Sequence, residues 1–237
     1  MKEPGQPRTD PDRWWLLPTG LLVVGLLLNI PFWITDLDLR VARAIAAWNE
    51  AAGRQQQDRW WWLVPYYVPT ALVVGLILGG LYGIARGWRQ PSSALLRPGL
   101  YVLLVLGLGC GLLVNVVLKD QWGRPRPRQV VEFGGTMAYL PPWQLGVPGS
   151  GKSFPSGHVA VPAACTCLWL LWRRRRPTLA RWCLVGSLAL AAWVGVARML
   201  AQGHWLSDVL WATVLMFAVA AVLHRLLLYK LPSEPSA

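Results

Sequence analysis

Long, unbroken apolar runs constrain this chain more than any other feature. A bilayer core of about 30 Å requires roughly 20 apolar residues per crossing helix. Six runs come close to or exceed that length: Trp14 to Ile34, Trp61 to Ala85, Pro98 to Leu118, Ser156 to Trp172, Leu179 to Val196 and Leu206 to Leu228. The expected fold class is all-α, a six-transmembrane helical bundle. The first run does not suit a cleaved signal peptide, because it is too long and Pro31-Phe-Trp33 follows where a small-residue cleavage site would stand.

Composition agrees. The chain is 54% hydrophobic and 14% charged, against roughly 25% charged residues in soluble domains. So much apolar surface excludes disorder over most of the length. Cys110, Cys165, Cys167 and Cys183 all lie in apolar runs and read as small core residues, which excludes a disulfide scaffold. The net charge of +12 would ordinarily suggest nucleic acid. Here the basic residues sit between apolar runs, so the bilayer is the expected partner and nucleic acid is not.

Six spans put both termini on one side. Lys and Arg number thirteen on that side and ten on the other, and seven of the eleven acids fall on the other. With Arg173-Arg-Arg-Arg176 as a strong stop, the positive-inside rule places both termini in the cytoplasm. Among the outer segments, residues 36 to 54 read as an amphipathic surface helix. Thr35 can cap it, Asp36 and Asp38 suit its positive end, and Leu37, Val41, Ile45 and Trp48 form an apolar stripe. Lys119 to Pro155 reads as an ordered loop over the membrane surface. Residues 1–12 and 231–237 read as disordered tails around a single domain at 13–230. Many of the sixteen Trp lie near span ends and read as interfacial anchors. Gly75, Gly79 and Gly83, and Gly107 with Gly111, are spaced for close helix packing. Trp60 to Trp62 with Tyr66 and Tyr67 could line an acyl-chain entrance or simply anchor the second span.

Three polar clusters interrupt the apolar chain, all on the outer side. In Arg198-Met-Leu-Ala-Gln-Gly-His204-Trp-Leu-Ser-Asp208, the His and Asp are four apart at a helix start. A carboxylate on one ring nitrogen would free the other to attack; alternatively, the pair simply stabilises the helix. In Ser153-Phe-Pro-Ser156-Gly157-His158, Ser156 is a plausible N-cap, Gly157 admits close approach, and the first N–H groups form an anion site beside His158. The plainer reading is an ordinary cap with a surface His. Lys119-Asp-Gln-Trp-Gly-Arg-Pro-Arg126-Pro127 supplies Lys119 and Arg126, with Arg124 nearby, on a backbone stiffened by proline. A lipid-headgroup contact is the plainer reading there, although the positive-inside rule disfavours such a stretch outside. His224, near Arg225 and Lys230, reads as interfacial. Taken together, convergent cations, a helix start, two His and one Asp suit a phosphate dianion. Two His and one Asp crowded by cations do not suit a metal. The expected chemistry is metal-free, cofactor-free phosphoryl transfer with His as nucleophile.

The spacings Lys119-x6-Arg126-Pro127, Pro155-Ser156-Gly157-His158 and Arg198-x5-His204-x3-Asp208 closely resemble the three signature motifs of the type 2 phosphatidic acid phosphatase superfamily. The resemblance covers about residues 98 to 225. Ala197 stands where the family usually has Ser. The resemblance implies that His204 forms a phosphohistidine, that Asp208 orients it, and that His158 protonates the leaving alkoxide and then activates water. Lys119, Arg126, Arg198, Ser156 and Gly157 would hold the phosphate. It implies a bacterial inner-membrane lipid phosphatase with a periplasmic site, six spans arguing against the superfamily's soluble haloperoxidases. Candidate substrates are undecaprenyl diphosphate, phosphatidylglycerol phosphate, phosphatidic acid and lipid A phosphates, with Val130 to Gly135 a possible selector. A phosphotransferase passing phosphate to a lipid A acceptor is the alternative, and a non-catalytic lipid-binding protein a weaker one. The oligomeric state is left open.

Overall fold

The computed structural model describes residues 16–53, 60–90 and 93–228. The two tails, Trp14, Trp15, Arg13, Arg54, Arg59 and Lys230 lie outside the described residues. The helices run α1 (Leu16–Leu27), α2 (Pro31–Ile34), α3 (Leu37–Ala51), α4 (Trp60–Arg89) and α5 (Ser93–Leu104). A π-helical stretch, Val105–Leu118, continues α5 and passes into α6 (Lys119–Trp122). After the long loop come α7 (Gly157–Ala164), α8 (Thr166–Trp172), α9 (Pro177–Leu200) and α10 (Leu206–Leu227). The all-α expectation is borne out: among the described residues the β-pairing is a single isolated bridge between Val130 and Met137.

Four helices are long and apolar enough to cross a bilayer: Leu63–Arg89, Leu96–Gln129, Pro177–Leu200 and Leu206–Leu227. A fifth is reached if Pro18–Ile34 and Leu37–Ala51, bent by 83°, count as one. The count of six is thus not reached by length and apolarity alone, because two of the expected runs are broken. The first breaks before Pro31, which lacks an N–H and opens α2. The fourth breaks at Cys165, just past Pro162, and Gly157–Trp172 is a shorter apolar helix. Polar side chains occupy carbonyls at that break: Ser187 Oγ donates to the Pro162 carbonyl at 2.6 Å and Thr166 Oγ1 to that of Ala163 at 2.7 Å.

The core lies around α7. Val159, Ala160, Ala163 and Ala164 are buried against Tyr101, Val105 and Val114 on one side and Val194, Val209, Ala212 and Met216 on the other. Small residues on α7 let three neighbouring helices approach at once. Outward-facing Leu78, Leu81 and Tyr82 on α4 and Trp182 and Val185 on α9 are exposed, as lipid-facing side chains would be.

The glycines that bring helices together are not those expected from spacing. Gly75, Gly79 and Gly107 face open space, and Gly111 meets only a carbonyl of its own helix. Gly80 and Gly99 instead join α4 to α5, where a Cβ on Gly99 would lie 2.5 Å from the Gly80 carbonyl oxygen. Four-residue spacing marks a stripe, and only the partner decides whether that stripe packs or faces lipid.

The surface helix forms as α3, with its buried face one step round from the expected one. Leu37, Val41 and Ile45 are half-buried and Trp48 is exposed, whereas Asp38, Ala42 and Asn49 are buried. Asn49 Nδ2 donates to the Leu200 carbonyl at 2.9 Å, tying α3 to the end of α9. Thr35 Oγ1 accepts the Leu37 N–H at 3.2 Å, and Asp36, which takes the cap position, pairs with Arg40 at 2.6 Å.

The loop after α6 is ordered, as expected. Gly123 turns the chain in the left-handed region, φ 65°, where a Cβ would strike the Val147 carbonyl. The Trp122 ring lies 4.6 Å from that of Phe154, tilted by 32°, and its Nε1–H donates to the Pro142 carbonyl at 3.0 Å, closing the loop on itself.

Candidate active site

The start of α7 forms one wall of the site. Ser156 holds the N-cap position in extended conformation, and its N–H donates to the Asp208 carbonyl at 3.2 Å. Its hydroxyl makes no cap bond and is buried without a partner. A buried orphan oxygen is costly unless something binds to it. Gly157 follows, where a Cβ would lie 2.7 Å from Asn115 Oδ1 and 3.2 Å from Lys119 Nζ. The lysine thus approaches the helix start across a position that carries no side chain. Gly157→Ala should therefore displace Asn115 and Lys119 and lower kcat/KM at least about tenfold. The helix itself should stay folded, which a melting curve of the same sample checks.

His158, in the first turn of α7, lies 4.8 Å from the Tyr66 ring. The Arg198 guanidinium sits 5.5 Å from the same ring, and its Nε is buried without a partner. Tyr66, on α4, therefore supports both an imidazole and a guanidinium. It is itself partly exposed, as is Tyr67.

His204 forms the opposite wall, 2% exposed. Its Nδ1 is 2.7 Å from the Ser153 carbonyl oxygen. A carbonyl only accepts, so Nδ1 carries the proton and Nε2 keeps its lone pair. The nearest Asp208 oxygen is 3.7 Å from Nδ1, beyond hydrogen-bond length. The direct His–Asp bond expected from the four-residue spacing is thus replaced by an indirect one. Asp208 Oδ2 accepts the Ser153 hydroxyl at 2.5 Å and the Trp205 N–H at 2.9 Å, which fixes the segments on both sides of the ring. Burial holds His204 below the usual imidazole range, against the pull of Asp208, which favours the neutral ring.

Lys119, Arg126 and Arg198 are half-buried and act on His158 electrostatically, together with His204. Among the described residues none of the three cations forms an ion pair with a carboxylate. Arg124 is different. The sequence places it near the candidate cations Lys119 and Arg126, but it is wholly buried and bonded to Asp38 at 2.8 Å and to Asp208 at 2.5 Å. Its Nε donates to the Leu140 carbonyl at 2.9 Å, and the Trp205 ring lies 5.4 Å away. Pro125 separates it from Arg126, and the two arginines serve different sides of the loop.

The structure thus brings together His204, His158, Lys119, Arg126, Arg198, Ser156 and Gly157, with Asp208 behind them. It adds Tyr66, Asn115, Ser153, Ser207 and Asp38. Asp38, read from sequence as a partner for the α3 helix end, is buried and accepts the Ser207 N–H at 2.9 Å and hydroxyl at 2.5 Å. Its signal was present in spacing: Asp38, Ala42 and Asn49 recur on one helical face, so a carboxylate lay on the side that packs. Among the described residues no group of three or more His, Cys, Asp or Glu could hold a metal ion.

Comparison with known proteins follows the same lines. The family model described as the PAP2 superfamily matches residues 100–232. A lipid A 4'-phosphatase of Rhizobium etli is 40% identical over 116 residues, covering 48% of this chain and 42% of that protein. One from Rhizobium leguminosarum is 38% identical over 153 residues, covering 62% and 60%. One from Francisella tularensis subsp. novicida is 28% identical over 131 residues, covering 55% and 58%. The matched regions thus span between about two-fifths and three-fifths of these relatives. No solved structure matches the chain.

Proposed function

The chain belongs to the PAP2 superfamily, and from that premise we propose that it is a metal-independent lipid phosphatase of the bacterial inner membrane. Its substrate is a phosphate monoester on a lipid A-type headgroup, a choice supported by the relatives named for that activity. The observation that carries the reading is the convergence of three cations without carboxylate partners on a helix start and a neutral histidine. Lys119, Arg126 and Arg198 hold the phosphate oxygens, with the Ser156 hydroxyl and the N–H groups opening α7. His204 Nε2 attacks phosphorus, the bond to the lipid oxygen breaks, and His158 protonates that oxygen as it leaves. Water, deprotonated by His158, then attacks the phosphohistidine and frees phosphate.

The lipid enters beside Tyr66 and Tyr67 with its tails still in the bilayer. In this reading the phosphatase domain spans 13–230 and crosses the membrane six times, with α1–α2 and α7–α8 completing the count. Arg173 to Arg176, at the far end of α8 from His158, support a cytoplasmic position for that end. Both termini then lie in the cytoplasm and the site faces the periplasm.

The test is a panel of purified lipid phosphates assayed for phosphate release in detergent, with and without an acceptor lipid. Release from the lipid A monoester is expected, undiminished by EDTA and inhibited by orthovanadate, whose five-coordinate adduct on His204 resembles the transition state. Activity lost to EDTA and restored by Mg²⁺ would refute the mechanism. Transfer to the acceptor without free phosphate would make the protein a phosphotransferase.

A further inference from the structure

We propose that Asp38 on α3 is a positioning residue for His204, so that the surface helix belongs to the catalytic apparatus. The helix that carries it lies outside the matched family segment, which begins at residue 100. The connection is continuous, buried and bonded at every step. Arg124 Nη2 donates to Asp38 Oδ2 at 2.8 Å, and its Nη1 donates to Ser207 Oγ at 2.8 Å and to Asp208 Oδ1 at 2.5 Å. Ser207 donates back to Asp38 from both its N–H and its hydroxyl. Asp208 then fixes Ser153, whose carbonyl holds His204 Nδ1. The α3 helix thus meets the His204 ring through two carboxylates and one guanidinium.

The charges explain why two carboxylates are needed. Asp38, Arg124 and Asp208 sum to one negative charge in a site closed to water. As His204 Nε2 bonds to phosphorus and Nδ1 keeps its proton, the ring gains positive charge, which that net negative charge favours. Without the Asp38 charge, Arg124 belongs to Asp208 alone and the cluster behind the ring is neutral. The other charged or titratable groups gathered around His204 are Lys119 on α6, Arg126 in the loop after it, His158 on α7 and Arg198 on α9, and any charge they carry is positive. No other carboxylate among the described residues replaces the one removed.

The inference rests on His204 as the reacting group. The experiment uses the purified full chain in detergent and the lipid phosphate that the wild type hydrolyses, with rates normalised to monodisperse protein. Asp38→Asn should lower kcat about tenfold to a hundredfold while KM stays within about twofold. The acid limb of kcat/KM should move to lower pH, because a less negative surrounding disfavours the protonated ring. Asp38→Glu, which keeps the charge, should leave that limb at its wild-type position. If Asp38→Asn yields no folded protein, Ser207→Ala carries the test: it removes the hydroxyl shared by Asp38 and Arg124 but keeps both charges, so kcat should fall about tenfold with the limb at its wild-type position, and an unchanged kcat would overturn the proposal. Unchanged kcat and pH dependence per folded molecule, or Asp38→Glu behaving like Asp38→Asn, would overturn the proposal. A wild type that hydrolyses no lipid phosphate would instead defeat the reading of His204, whereas an active wild type with an indifferent Asp38 defeats the positioning role alone.

Discussion

Replacing His204 with Ala should cut lipid phosphate turnover at least about a thousandfold while the protein stays folded in the membrane. Nε2 is asked to form a covalent bond, and no neighbour is placed to replace it. His158 on α7 is the nearest other imidazole, and in the proposed mechanism it serves as proton donor to the leaving oxygen and not as nucleophile. The remaining cations and the α7 helix start would still bind phosphate and give a small residual rate over water. Asp208→Asn should be slowed less completely, because the Ser153 carbonyl still holds Nδ1. Phosphate release by each variant in detergent, alongside orthovanadate binding to show an intact pocket, measures this. More than a few per cent of activity in His204→Ala would sink the assignment.

Arg124→Met should produce the largest loss of stability in the chain. The substitution leaves Asp38 and Asp208 buried without their common cation. Removing one partner of a buried ion pair costs about 3–5 kcal/mol, against a typical total stability of about 5–15 kcal/mol. A midpoint lower by about 10 °C is expected, at 2–4 °C per kcal/mol for a chain of this size. Arg126→Met is the control. Two residues along, Arg126 has no carboxylate to abandon, so its midpoint should stay within about 2 °C while kcat/KM falls. Equal melting of the two variants would show that the Asp38–Arg124–Asp208 cluster carries no special weight.

These two arginines show what the sequence could and could not reveal. The residues that would touch phosphate were legible because their spacing is bound to their chemistry: a lysine seven residues before an arginine, a glycine opening a helix, a histidine after a short turn. The all-α class was legible because apolar runs of membrane length admit little else. Arg124 was not separable from Arg126 by composition, since both follow a turn and flank one proline. Only the fold shows that one meets two carboxylates and the other meets none. Asp38 was misread because a carboxylate near a helix start has a local explanation, the helix dipole, that conceals a partner 86 residues away. The breaks at Pro31 and Cys165 were invisible for a related reason, because hydropathy counts apolar residues and not whether the helix through them is continuous.

The break at Cys165 belongs to a helix that is also short. From Gly157 to Trp172, at 1.5 Å per residue, the rod is only ~24 Å long, less than the roughly 30 Å of a hydrocarbon core. If Arg173 to Arg176 are held at one polar surface, as the proposed topology has them, the opposite end at Ser156 stops several ångströms short of the other. On the proposed topology the phosphate seat would be a dimple sunk beneath the headgroup plane, and either the lipid would descend into it or the bilayer would thin around it. Such deformation costs fractions of a kcal/mol per ångström of mismatch. On that topology the acyl-chain length of the surrounding membrane would become a term in the reaction rate, and a thicker bilayer is expected to slow an enzyme whose side chains are unchanged.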